Sequence, residues 1–188
     1  MNLEIVFDTE TTGLPDWKSQ SEAEHQPHIV QLAANLIDMD SQKVIQSMDV
    51  IIKPEGWTSS KEALEAHGIT TEYAMDVGIP EKLALEMFLA LWNGRTRVAH
   101  NTTFDNRIIR IATKRYCSEE VAEAWHTGPY FCTMINARKI MAISKNPTLG
   151  EAYTHFTSKV LENAHSALPD TNACMEVYFA LMSAAKAA

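Results

Sequence analysis

Paired cysteines, a surplus of basic residues and any long apolar run are all missing from this 188-residue sequence. The three cysteines, Cys117, Cys132 and Cys174, are odd in number, far apart, and outside any Cys-x-x-Cys or zinc-finger spacing. That excludes a disulfide-framed scaffold and points to reduced thiols in a cytoplasmic setting. Lys and Arg number 16 against 24 Asp and Glu, a net charge of -8. Nucleic acid is therefore not gripped by a broad cationic face, and any phosphate must be met locally. The amino-terminal apolar run, Ile5-Val6-Phe7, has no basic flank. It is too short for a signal peptide or a membrane span, so no membrane partner is expected. Internal repeats, low-complexity tracts and linkers are also lacking.

What is present is the composition of an ordinary globular chain, 46% hydrophobic and 21% charged. A chain of this length buries roughly 70% of its unfolded surface, so residues 1–188 are read as a single domain. Short β-rich runs over 3–7, 29–37 and 44–52, the last two joined by the polar stretch 38–42, predict a strand followed by a hairpin. A further short strand is predicted over 96–99. Helical patterning covers 80–92, 104–116, 119–125, 133–142, 149–156 and 169–184, with apolar positions at Leu83, Met87, Phe88 and Leu91 in the first. Segments 15–28 and 53–60 are polar, contain proline and read as loops. Strands followed by helices around further short strands predict an α/β fold with a mixed sheet flanked by helices.

The chemistry is carried by acids. Asp8 and Glu10 are two residues apart at the end of the first strand, so the two-residue period of a strand points both carboxylates to one face. Oxygen donors converging in this way suit a hard divalent cation, although a solvated strand end shows the same pattern. Asp105 precedes the amphipathic stretch of Ile108, Ile109 and Ala112, and Asp170 follows Pro169 at the start of the last helix. Both fall in or beside a first helical turn, where the helix dipole helps to keep a carboxylate ionised.

Three strings occur in order: Phe7-Asp8-Thr9-Glu10-Thr11-Thr12-Gly13-Leu14, His100-Asn101-Thr102-Thr103-Phe104-Asp105 and His165-Ser166-Ala167-Leu168-Pro169-Asp170. Together with His67-Gly68-Ile69-Thr70 they resemble the DnaQ-like 3′-to-5′ exonucleases of the DEDD superfamily, in the subclass with a catalytic histidine. That subclass has a histidine five residues before its last Asp. The sister subclass has a tyrosine four before it, a position held here by Ser166. Phe131-Cys132-Thr133-Met134 with Ala137-Arg138 is similar to a segment of exonuclease X and its relatives.

The resemblance implies a ribonuclease H-like fold with a central five-stranded mixed sheet. It also implies metal acids at Asp8, Glu10, Asp105 and Asp170, and a catalytic histidine at His165. Four crowded carboxylates need counter-charge. Two Mg²⁺ ions, with Mn²⁺ as a substitute, match an all-oxygen donor set. His165 is assigned the proton of the attacking water, since an imidazole titrates near neutral pH.

Thr11, Gly13 and Leu14 are expected to hold the terminal nucleotide, Leu14 by wedging on the last base or, alternatively, by packing in the core. Asn101 and Phe104 shape or brace the same pocket. Arg107, Arg110 and Lys114 share a helical face, which either guides phosphates or is simply solvated. Trp17 either stacks on a base or covers the core, and His100 is expected to hydrogen-bond within its own motif. The implied reaction is release of nucleoside 5′-monophosphates from a nucleic-acid 3′ end, DNA favoured over RNA. The alternatives are an RNA-trimming enzyme or a proofreading subunit acting through a polymerase, and a homodimer fits each.

Overall fold

A computed structural model describes residues 1–162 and 164–187, the side chains of Lys186 and Ala187 excepted. Three long strands come first: β1 (Leu3–Thr11), β2 (Ile29–Asp38) and β3 (Lys43–Ile51). Helices α1 (Lys61–His67), α2 (Thr71–Val77) and α3 (Glu81–Trp92) follow, then β4 (Arg97–Ala99), α4 (Thr102–Tyr116), α5 (Glu119–Thr127) and β5 (Tyr130–Cys132). Three further helices, α6 (Thr133–Ile140), α7 (Leu149–Thr157) and α8 (Ala167–Ala187), end the described chain. The sheet order is β3-β2-β1-β4-β5, with β1, β4 and β5 parallel and β2 antiparallel to both of its neighbours. This is the mixed five-stranded sheet flanked by helices that the sequence implied. Among the described residues, no helix is long and apolar enough to cross a membrane.

The central strand explains the layers. Ile5 and Phe7 pack with Phe88, Ile108, Ile109 and Trp125 on one face of the sheet, while Val6 packs with Val98, Cys174 and Tyr178 on the other. Both faces are covered, so Ile5, Val6 and Phe7 form a continuous apolar run where a half-exposed strand would alternate. Odd residues of β1 thus look toward α3 and α4, and even residues toward α8.

Several elements depart from the sequence reading. The buried face of α3 is Glu81, Ala84, Leu85, Phe88 and Trp92, whereas Leu83 and Met87 are exposed. Apolar residues occur all around this helix, so periodicity did not single out the buried side. Helices α1 and α2 went unread because each has only 7 residues, less than the window in which a period shows. Their caps are nonetheless legible. Ser60 accepts from the Ala63 amide, Gly68 closes α1 with φ 68°, and the Thr70 hydroxyl accepts from the Tyr73 amide. Strand β5 was not predicted, whereas β4, equally short at three residues, falls within the predicted 96–99.

One buried polar knot fixes α3 and α4 against the start of β2. Glu81 is buried and accepts from the Ile29 amide (2.9 Å), His28 Nδ1 (2.7 Å) and the Tyr116 hydroxyl (2.8 Å), with Arg115 Nη1 at 3.4 Å. Burial alone raises its carboxyl, but His28, the Ile29 amide and Arg115 outweigh burial and hold it below the ordinary value. A depressed carboxyl stabilises the fold above its unfolded pKa, and that contribution is lost as pH falls through the folded value. Glu81→Ala strands these donors and one guanidinium. It is expected to cost about 3 kcal/mol or more, roughly 6–12 °C in Tm, by thermal denaturation at pH 7. A shift below about 2 °C contradicts the knot.

Of the three free cysteines, Cys132 and Cys174 are buried and Cys117 is half-buried.

Candidate active site

The site forms where β1 runs past its pairing with β4 toward the amino ends of α4 and α8. Asp8 and Glu10, even residues of β1, turn toward α8, whose first turn carries Asp170. One carboxylate oxygen from each of Asp8, Glu10 and Asp170 lies within 4.8 Å of the others. The α8 end is pinned to β2: the Ala167 amide donates to Gln31 Oε1 (3.1 Å) and Asn35 Nδ2 donates to Asn172 Oδ1 (2.8 Å).

Asp105 arrives from the opposite side of the sheet. It is buried in the first turn of α4, and its Oδ1 accepts from both the amide (3.2 Å) and the hydroxyl (2.8 Å) of Thr9. Thr9, the residue between the two β1 acids, faces α4 by the same two-residue alternation that points Asp8 and Glu10 the other way. Sequence reasoning passed over Thr9, although that alternation was the available signal.

Crowding and burial set the electrostatics. Asp8 is raised well above the usual carboxylate range, first by burial and then by Asp105, Glu10 and Asp170. Burial, then Asp170 and Asp105, pushes Glu10 up to about 7. Burial also lifts Asp105 to about 7, against the two Thr9 hydrogen bonds and with a further push from Asp170. Asp170 is raised by burial, partly offset by the His165 amide and imidazole. Its Oδ1 is buried and has no hydrogen-bond partner among the described residues. An all-oxygen set that repels itself and leaves one oxygen unpaired is chemically complete only with a hard divalent cation.

His165 is exposed and takes a left-handed backbone, φ 67°, a conformation that costs a non-glycine residue about 1 kcal/mol or more. The bond from its amide to Asp170 Oδ2 (3.0 Å) holds it there, tying the histidine to the acid five residues on. Asn101, just before α4, is left-handed too, φ 62°.

Beside the acids lies a cleft of about 400 Å³ lined by Glu10, Thr11, Gly13, Leu14, Phe104 and His165. Asn101 is exposed and is not among the residues lining it. Leu14 is 84% exposed, which removes the core-packing alternative. Thr11 donates its hydroxyl to Gly13 O (2.8 Å), leaving the oxygen lone pairs as acceptors. A Cβ on Gly13 would meet only Ser60 Oγ, at 3.8 Å. The protein itself does not require glycine there, and the open backbone is available to a ligand.

The far wall of the cleft comes from α1, through Ala63, Ala66 and His67. Sequence reading gave this helix no role, although Ser60 and Gly68 mark its ends. His67 Nδ1 accepts from the Ile69 amide (2.9 Å), and burial lowers its pKa.

Other expectations need correction. His100 bonds outside its own motif, through Nδ1 to Thr133 Oγ1 (3.0 Å) and Nε2 to Pro147 O (3.0 Å), because burial turns it toward α6. The basic face of α4 is not uniformly free. Lys114 pairs with Glu119 (2.6 Å), and Arg107 Nη2 donates to Ser19 O (2.6 Å), clamping the loop after β1. Trp17 is 56% exposed and does not close the core.

Comparison with known proteins agrees with this geometry. A family model described as Exonuclease (RNase_T) matches residues 5–178. Ribonuclease T of Actinobacillus pleuropneumoniae serotype 5b (strain L20) is 27% identical over 206 residues, covering 98% of this chain and 85% of the relative. E. coli exonuclease I in complex with a dT13 oligonucleotide superposes with a TM-score of 0.73 at 20% identity, over 95% of this chain and 40% of that one. Exonuclease X in complex with 5′-overhanging duplex DNA gives 0.65 at 21%, over 97% and 92%. The chain thus spans well under half of exonuclease I, and at these identities the structural likeness is one of fold.

Proposed function

We propose a specific reaction for this chain, which belongs to the exonuclease family and is a 3′-to-5′ exonuclease acting on nucleic acid: hydrolysis of the terminal phosphodiester of a single-stranded or frayed DNA end, releasing a nucleoside 5′-monophosphate. The observation that carries it is the convergence of Asp8, Glu10 and Asp170 within 4.8 Å, with His165 tethered to Asp170 at the mouth of the cleft.

In this reading Asp8, Glu10, Asp105 and Asp170 hold two Mg²⁺ ions. When bound, the ions supply positive charge at the attacking and leaving oxygens of an in-line displacement. Thr11 and the Gly13 backbone meet the terminal sugar, and Leu14 and Phe104 press on the last base. His165 takes a proton from water as its oxygen bonds to phosphorus, and the bond from phosphorus to the upstream 3′ oxygen breaks. Thr9 positions Asp105 through its amide and hydroxyl and itself lines the cleft. DNA is favoured because both structural neighbours compared above hold DNA. The relative named Ribonuclease T supports RNA trimming as the second reading.

Digestion of end-labelled single-stranded DNA and RNA, with Mg²⁺ or with chelator, tests the proposal. Metal-dependent shortening from the 3′ end, faster on DNA, is expected; internal cuts or metal-independent loss reject the mechanism, and faster RNA digestion transfers the assignment to the second reading. In a thermal melt, Mg²⁺ at a hundredfold excess over its Kd stabilises the chain by about 2.7 kcal/mol, roughly 5–10 °C. Indifference of the melt to Mg²⁺ removes the metal site.

A further inference from the structure

We propose that the groove along α4 facing β5 is a second binding site on this chain, taking a phosphate-bearing nucleotide of the strand upstream of the cleaved end. The groove, a cavity of about 300 Å³, is lined by Trp17, Arg97, Asn106, Arg107, Arg110 and Tyr130, among others. Three guanidinium groups gather there in a protein of net charge -8. Among the described residues none of the three forms an ion pair.

Arg97 makes the strongest case. It is 1% exposed, donates from Nη1 to Trp125 O, and leaves Nε buried without a partner. Its guanidinium lies 4.1 Å from the Trp125 ring centroid and 5.8 Å from that of Tyr130. A cation–π contact is worth about 0.5–2 kcal/mol, while removing a cation from water costs several kcal/mol. The rings therefore do not offset burial, and an anion does. Burial lowers the Arg97 pKa to about 10, and Tyr130 is the one neighbour acting against it. Arg107 Nε and Asn106 Oδ1 are buried and unpartnered as well. They offer a second donor for phosphate and an acceptor for a base N–H. Trp17 and Tyr130, 56% and 61% exposed, present ring faces on which a base can stack.

Position argues for a strand in preference to a free anion. Thr103 also lines the groove, while its neighbour Phe104 lines the catalytic cleft. From Thr103 to Arg110 the helix rises about 10 Å, the length of about three stacked nucleotides. The inference rests on the exonuclease reading, and its test separates the two.

Steady-state digestion of a labelled DNA dinucleotide and octanucleotide is compared for the wild type, Arg110→Ala and Tyr130→Ala, the variants being checked by thermal melt. Stacking is worth about 1–3 kcal/mol per base, so KM for the octanucleotide is expected to rise roughly tenfold while kcat holds within about twofold. The dinucleotide is too short to reach the groove and is expected to be unaffected. Equal changes on both substrates, or none, overturn the site. Fluorescence of Trp17 and Trp125 gives a readout without turnover, by titration with the octanucleotide or with a nucleoside 5′-monophosphate in chelator. Quenching by the octanucleotide that is lost in Arg110→Ala supports the strand. Equal quenching by the monophosphate, lost in the same variant, assigns the pocket to free nucleotides and overturns it, as does the absence of quenching by either. A wild type that digests neither substrate but still shows the octanucleotide quench defeats the exonuclease reading and leaves the groove standing.

Discussion

Asp8→Asn is expected to reduce exonuclease turnover by about 10³-fold or more while raising the melting temperature of the metal-free protein. The two effects have one cause. Asp8 lies in a group of carboxylates, Asp105 buried and the others half-buried, whose pKa values are all raised. A neutral amide removes the cost of holding a fourth acid in that group and, in the proposed reading, one ligand of the metal ions. Relief of roughly 1–2 kcal/mol corresponds to about 3–6 °C in Tm for a chain of this size.

The contribution of these acids to the pH dependence has a definite sign, opposed by His67 and His100, whose pKa values burial lowers. Glu10 and Asp105 titrate near 7 in the folded chain and near 4 when unfolded. Between those values the folded state binds more protons than the unfolded, so stability of the metal-free protein falls as pH rises from about 4 and levels off above about 7. Mg²⁺ cancels the fall by replacing the protons. Thermal melts at pH 5 and pH 8, with and without Mg²⁺, measure both effects. A metal-free protein more stable at pH 8, or an Asp8→Asn variant that melts lower, shows that the acids do not repel one another as described.

His165→Ala is expected to lower kcat by about 10²- to 10⁴-fold, the range for loss of a general base, while Mg²⁺ still raises the melting temperature. The variant separates chemistry from folding. The imidazole is exposed, so its removal empties no core. Histidine already occupies the left-handed position as a non-glycine residue, so alanine brings no new backbone strain. The bond to Asp170 uses the His165 amide, which alanine retains. Folding stability within about 1 kcal/mol of wild type is therefore expected. Unchanged turnover removes the proton-transfer role, and loss of the Mg²⁺ response shows that His165 supports the metal acids instead.

Legibility in the sequence followed element length and the number of faces buried. Strands β1 and β2 and helices α4 and α8 were readable because each sustains an apolar pattern across several turns or pleats. Helix α3 was placed correctly but its buried side was not legible, because Leu83 and Met87 are as apolar as the residues that bury. Helices α1 and α2 are too short to show a period, yet α1 supplies a wall of the cleft. Of the proposed site, Asp8 and Glu10 on one face of a strand follow from alternation alone. That Asp105 approaches from the other face through Thr9, that Leu14 is open to solvent and that Asn101 stands outside the cleft do not.

The basic residues divide in the same way. Composition shows a deficit of positive charge, and spacing puts Arg107, Arg110 and Lys114 on one side of a helix. Only the packed chain spends Lys114 on Glu119, ties Arg107 to the loop at Ser19, and carries Arg97 in from β4, which paired Ile5 with Arg97 across the sheet. By itself the sequence determined which residue types recur at strand and helix periods, and so the α/β class and the even-numbered acids of β1. The tertiary structure decided which distant groups share a volume, because burial and counter-charge are properties of the assembled neighbours, not of any one segment.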